Sequence, residues 1–171
     1  MSLRPTWEEW ALGIAVAVAQ RADCTRAKVG AVILSRKNRV LGLGYNGLPP
    51  GLPGCATADN CPRGQLSTAE CARDSDYSNC PATHAERNAI EDALVKGFSA
   101  YELQEARLYV TRRPCPACLT LINSAGIRRI VVLDSADMWR VAARPRRGSR
   151  TCSRLVGLWR SMRSRVANSR G

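Results

Sequence analysis

The chain is short of histidine, of long apolar runs and, toward its C-terminal end, of acids. Among 171 residues there is one histidine, His84, which excludes any site built on two or more imidazoles from one chain. No stretch approaches the ~18–20 apolar residues of a membrane span. No internal repeat is visible, and no low-complexity block apart from an arginine-rich tail. Residues 135–171 hold one acid against ten arginines, and residues 1–134 hold 13 acids against 16 Lys and Arg. The body therefore carries +3 and the tail +9 of the formal +12. Such a tail can attract phosphates or nucleic acid, although a solvated terminus is the plainer reading.

What is present is enough for one domain with a single core. The length suits one unit, and 45% hydrophobic residues excludes a disordered composition. The run 11-ALGIAVAVAQ-20 has the Ala-Val-Ala of a signal-peptide cleavage site, but Glu8 and Glu9 stand where a signal peptide carries positive charge. Thr6-x-x-Glu9 reads as a capping box, and Trp7, Trp10, Ala11, Ile14 and Val18 share one helical face. An amphipathic first helix in a cytoplasmic protein is the preferred reading. Eight cysteines are many for that compartment; an even count suits a disulfide framework, but cysteines clustered beside a histidine point to metal.

The predicted order is αββαβαβ, a layered α/β arrangement. A helix is expected from Thr6 to about Arg21, then a hairpin of 29-VGAVILS-35 and 40-VLGLGY-45. Residues 46–81 are Gly, Pro, Cys and small polar residues, with Cys55, Cys61, Cys71 and Cys80 among them. A structureless stretch of that length is expected to be functional or stapled. A second helix is expected to start at a Thr83-x-x-Glu86 capping box, with Ala89, Ile90, Ala93 and Leu94 as its apolar face and Gly97 as its stop. A strand at 107–111 follows. Then comes a helix opened by Pro114-Cys115-Pro116 and ended by Gly126, and a strand at 128–134. Beyond Ser135 the pattern weakens; 152–166 could form a basic helix, and no clear strand is seen.

The chemistry gathers at two predicted helix starts. A catalytic zinc takes three protein ligands and keeps one tetrahedral position open. His84, Cys115 and Cys118 are three ligands, and both helix N-termini would favour thiolate. Glu86, two residues from His84, can approach a metal-activated water without binding the metal, as a general acid/base would. Taken singly, each feature has a plainer reading. A capping-box Glu is usually a cap, and a lone Cys-x-x-Cys is often a structural knuckle or a redox pair. Together, His-x-Glu followed by Pro-Cys-x-x-Cys is the known signature of zinc nucleobase deaminases.

The chain accordingly resembles the cytidine and deoxycytidylate deaminase superfamily. The resemblance rests on 84-HAERNAI-90 and 114-PCPAC-118, and covers about residues 5–134. The segments 23-DCTRAKVGAVI-33, 44-GYNGLPPGLPGC-55 and 121-LINSAGIRRIVV-132 resemble its dCMP deaminase branch. It implies a three-layer α/β/α sandwich with a mixed central sheet over 1–134, with 135–171 as a basic extension. It implies hydrolytic deamination of dCMP to dUMP: attack at C4, Glu86 protonating N3 and then carrying a proton to the departing ammonia. It also implies that the backbone at Ala85 holds the base, that Asn46 meets the sugar hydroxyl and that Val29 underlies the pocket. Phosphate recognition falls to Arg26 or Arg112, with Arg113 a neighbour of the same kind.

A second, structural zinc is implied at Cys24, Cys55, Cys80 and Cys61, with Cys71 as the alternative fourth ligand. Such a closed site would explain how the 46–81 loop is held; free buried thiols are the alternative. The resemblance further implies a homohexamer, and activation by dCTP (with Mg2+) and inhibition by dTTP at a site near Tyr45, Asn46 and Gly47. The arginine-rich tail departs from the family pattern. It keeps two rivals open: a deaminase acting on another cytosine nucleotide or on cytosine or adenine in nucleic acid, and a non-catalytic zinc protein with a nucleic-acid-binding tail.

Overall fold

The computed structural model describes residues 4–59, 61–67, 70, 77, 80–133 and 140–141. Helix α1 (Trp7–Ala19) is followed by the hairpin β1 (Gly30–Leu34) and β2 (Val40–Tyr45). Then come α2 (Ala85–Val95), a short α3 (Ala100–Gln104), β3 (Arg107–Val110), α4 (Pro116–Ser124), β4 (Arg129–Val132) and β5 (Arg140–Val141). The strand order is β2-β1-β3-β4-β5. β3 and β4 run parallel, joined through α4, and the other pairs are antiparallel. The sheet is thus mixed, as expected.

Two apolar clusters on opposite faces make three layers. Ala11, Leu12 and Ala15 of α1 meet Val32, Leu34, Tyr109 and Val131 on one face. On the other, α2 and α4 pack over Ala31, Ile33, Leu108, Val110 and Ile130. The alternation along each strand puts neighbouring residues into different clusters.

Where a helix crosses the hairpin, glycine lets the backbones meet. A Cβ on Gly30 would collide with the Ala15 carbonyl, and one on Gly44 with the backbone of Ala85 and Ala89. This corrects the expected buried face of α1. Ala11, Leu12, Ala15 and Ala19 face the sheet, whereas Trp7 and Trp10 stay exposed, one ring edge-on to the other at 5.5 Å. The close seat over Gly30 admits only small side chains, so the large apolar residues are displaced to the helix flank. The Thr6–Glu9 capping box is formed as expected.

The second capping box is not. The N-cap of α2 is His84, with no side-chain cap, and Glu86 lies buried in the first turn. Thr83 instead exchanges two backbone hydrogen bonds with Gly47, which leaves its position unavailable as a cap. Gly97 and Gly126 end their helices with φ of 88° and 84°, as their positions predicted. Two elements went unforeseen: α3, opened by a Ser99–Glu102 capping box, and β5, which pairs with β4 beyond the last expected strand. The suggested helix at 152–166, Cys71 and Cys152 lie outside the described residues.

Strand β2 is an edge, yet its outer side is occupied. The Leu43 N–H donates to Asp92 Oδ2 (2.8 Å) and the Tyr45 carbonyl accepts from Asn88 Nδ2 (2.7 Å). Both partners belong to α2, one turn apart, so the same contacts fix how that helix lies along the hairpin.

Candidate metal centre and cleft

Two helix starts meet at one point because β1, β3 and the bridge from Gly47 to Thr83 hold them there. His84 is the N-cap of α2, and Cys115 the N-cap of α4, with Pro116 supplying a ready-made helical φ. His84 Nδ1 lies 3.3 Å from Cys118 Sγ and 3.5 Å from Cys115 Sγ. The donor atoms of the three residues fall within 4.8 Å of one another, and among the described residues no other His, Cys, Asp or Glu trio does so.

The donor set fits zinc. With usual Zn–N and Zn–S bond lengths, a tetrahedral edge from nitrogen to sulfur is about 3.5 Å. Both N···S separations match that edge. One nitrogen and two sulfurs leave the fourth position free, the arrangement of a catalytic site.

Electrostatics favours a cation here. Cys118 has its thiol pKa pushed up strongly, first by burial, then by the negative charges of Glu86 and Cys115. Burial likewise raises the Glu86 carboxyl, partly opposed by its hydrogen bonds and by the His84 imidazole. Glu86 is 4% exposed, so its ionised form is poorly solvated. Three acids crowded into a dry corner repel one another as anions; a divalent cation among them would reverse the sign. The N-termini of α2 and α4 add partial positive charge.

A cleft of about 480 Å³ opens onto this corner. His84, Ala85, Glu86 and Cys115 line it, with Val29 and Asn46 alongside. Four arginines also line it, Arg26, Arg63, Arg112 and Arg113, against Glu86 as the one acid among the described lining residues. Such a lining favours an anionic ligand.

The structure therefore brings together every residue expected at the pocket, though several are otherwise engaged. Asn46 is 8% exposed; its Oδ1 accepts from the Val29 N–H (2.7 Å) and its Nδ2 donates to the Ala27 carbonyl (2.9 Å). One N–H and one lone pair remain on that amide. Arg26 donates to the carbonyls of Arg63 (3.2 Å) and Leu66 (2.7 Å), so it braces the loop as well as facing the cleft. Tyr45 is exposed, and Gly47 forms the bridge to Thr83.

Sequence reasoning missed Arg63 and Tyr77. Arg63 is 9% exposed, with its guanidinium 4.2 Å over the Tyr77 ring, and Tyr77 stands perpendicular to the His84 ring at 4.8 Å. Both sit in the Gly/Pro/Cys-rich loop, where no periodicity signals burial. The available hint was the loop's one tyrosine, and an arginine two residues after Cys61.

Cys24, Cys55, Cys61 and Cys80 lie close enough to influence one another. Burial and then the charges of Cys61, Cys24 and Cys80 raise the Cys55 thiol. Cys61 is also subject to the raising effect of burial, but hydrogen bonds from Thr25 and from the Gly64 and Arg63 backbone outweigh it, and its thiol is lowered. The four do not close into a trio within 4.8 Å.

Comparison with known proteins agrees with this geometry. Residues 5–134 match the family described as the cytidine and deoxycytidylate deaminase zinc-binding region. The chain belongs to this family. It is 50% identical over 132 residues to the deoxycytidylate deaminase of Mycobacterium phage D29, covering 75% of this chain and 94% of that one. It is 34% identical over 135 residues to the deoxycytidylate deaminase of Schizosaccharomyces pombe, where the match spans 79% of this chain and 39% of the yeast protein. The dCMP deaminase of cyanophage S-TIM5, solved with dCMP and dUMP, superposes with a TM-score of 0.58 at 25% identity, over 77% of this chain and 83% of that one. The three-layer deaminase fold and its zinc-binding signature are thus family properties of this chain. Among the described residues, no helix is long and apolar enough to cross a membrane.

Proposed function

We propose that this protein hydrolyses dCMP to dUMP and ammonia, supplying dUMP for thymidylate synthesis in the cytoplasm. The observation that carries the reading is a buried Glu86 beside the His84–Cys115–Cys118 trio at the end of a four-arginine cleft. The phage D29 and S-TIM5 relatives, which bear the name of that activity, support it.

His84, Cys115 and Cys118 would hold the zinc, which when bound would supply the Lewis acidity that lets water act as a nucleophile at neutral pH. Everything else falls to the chain. Glu86 takes a proton from the attacking water, hands it to N3 of the cytosine ring as C4 becomes tetrahedral, and then carries a proton to the departing ammonia. A raised carboxyl pKa suits a group that must both accept and give a proton near neutral pH. The backbone at Ala85 orients the base, the spare N–H and lone pair of Asn46 face the sugar hydroxyl, and Val29 closes the apolar wall. Arg112 pairs with the 5′-phosphate, with Arg26 and Arg113 beside it.

Three further parts belong to the same reading. Cys24, Cys55, Cys61 and Cys80 hold a structural zinc; the mutual influence of their thiols and the lowered Cys61 support it. The Tyr45–Asn46–Gly47 segment takes dCTP with Mg2+ as activator or dTTP as inhibitor. The backbone bridge from Gly47 to Thr83 gives it a mechanical route to His84. The working form is a homohexamer.

The test is ammonia release from dCMP, dCTP, deoxycytidine and cytosine-containing single-stranded DNA, each with and without added dCTP or dTTP. Turnover on dCMP with little on deoxycytidine is expected. Turnover on DNA but not on dCMP would overturn the substrate assignment, and indifference to both effectors would remove the regulation.

A further inference from the structure

We infer that Tyr77, backed by Arg63, is a positioning residue for His84: it sets the plane of the imidazole so that Nδ1 faces the two thiols. The inference rests on the proposed metal-ligand role of His84 and concerns what holds that ligand in place.

The geometry is a stack of three groups. The Arg63 guanidinium lies 4.2 Å over the Tyr77 ring, and the Tyr77 and His84 rings meet at 4.8 Å and 87°. Perpendicular aromatic pairs at this separation are attractive, and a cation over the outer ring strengthens the seat. His84 needs such a seat because it is an N-cap with no cap hydrogen bond from its side chain, so α2 itself does not fix the ring. Ligating imidazoles elsewhere depend on an outer partner to fix ring orientation.

The seat is itself anchored. Arg26 binds the carbonyls of Arg63 and Leu66, the Cys61 thiol accepts from the Gly64 N–H (3.2 Å), and the Cys80 N–H donates to the Tyr77 carbonyl (2.9 Å). Apart from Arg26, which reaches in from the segment before β1, the residues that brace the seat are those of the cysteine-rich loop. The loop's order is transmitted to the catalytic ligand through one aromatic ring.

Because His84 is the chain's one histidine, a ¹⁵N-histidine-labelled sample reports this imidazole alone. The full-length protein is titrated with a zinc chelator while the His84 ring nitrogens are followed, and melting temperature is measured alongside. Tyr77→Leu is expected to weaken zinc at this site about tenfold and to shift or broaden the ring signals, with Tyr77→Phe close to the parent protein. Arg63→Met leaves Tyr77 in place and is expected to weaken zinc about threefold; it carries the test if Tyr77→Leu does not fold. Zinc binding within about twofold of the parent in the Leu variant, or a Phe variant as poor as the Leu one, would overturn the inference. A parent imidazole indifferent to zinc would overturn the metal-ligand reading beneath it.

Discussion

Glu86 carries opposite demands. Its burial favours the neutral acid, whereas its proposed work needs it to accept a proton from water. Removing the charge separates the two. Glu86→Gln is expected to lower kcat by about 10²–10⁴-fold while zinc content, read by metal analysis, is unchanged. The same variant reports on stability in the metal-free protein. A carboxyl whose folded pKa is raised makes folding less favourable as pH climbs from the unfolded carboxylate range through the folded value. Glu86→Gln is therefore expected to melt higher than the parent at neutral pH. The difference should disappear at pH values below the ordinary glutamate range. Equal melting temperatures at pH 7 would show that Glu86 is better solvated than its 4% exposure implies.

The elements are set by how closely they approach. The start of α2 rests on Gly44, so an added methyl group must push the turn that carries His84 and Glu86 off the hairpin. Gly44→Ala is expected to cost about 1–3 kcal/mol and to lower turnover at least tenfold. Gly13 gives the contrast. It lies inside α1 with nothing within 4 Å of where a Cβ would stand. Gly13→Ala is expected to stabilise by about 0.5–1 kcal/mol with activity unchanged. Denaturant midpoints and dCMP turnover on the two variants check both. Much at this scale was legible in the sequence. The hairpin and the glycine stops follow from local spacing, and the pairing of His84 with Cys115 and Cys118 from the deaminase signature that the two segments make together. Thr83 was misread because its competing partner, Gly47, is remote in sequence. The outward tryptophans of α1 were misread because periodicity marks an apolar face without saying how near the sheet comes. Arg63 and Tyr77 stayed hidden because their burial is created by a loop.

The whole molecule divides by charge, with +9 of its +12 in residues 135–171. Long-range attraction to polyanions should therefore reside in the tail, whereas the cleft uses arginines of the body. The full chain is expected to bind single-stranded DNA at low salt and release it steeply as salt rises. A chain ending at Val141 should lose most of that binding and keep dCMP turnover. Retention of salt-sensitive DNA binding by the shorter chain would place the polyanion surface on the deaminase body.

The outer side of β2 has one more consequence. An exposed strand edge is a template on which another chain can add, by backbone pairing alone. Asn88 donates to the Tyr45 carbonyl of that edge, and Asp92 accepts from its Leu43 N–H. At those two positions a second copy cannot lengthen the sheet without displacing the side chains of α2. The two residues that seat the helix of the proposed active site thus also cover part of an edge that could otherwise add another strand. Replacing both would expose catalysis and solubility to loss in a single step.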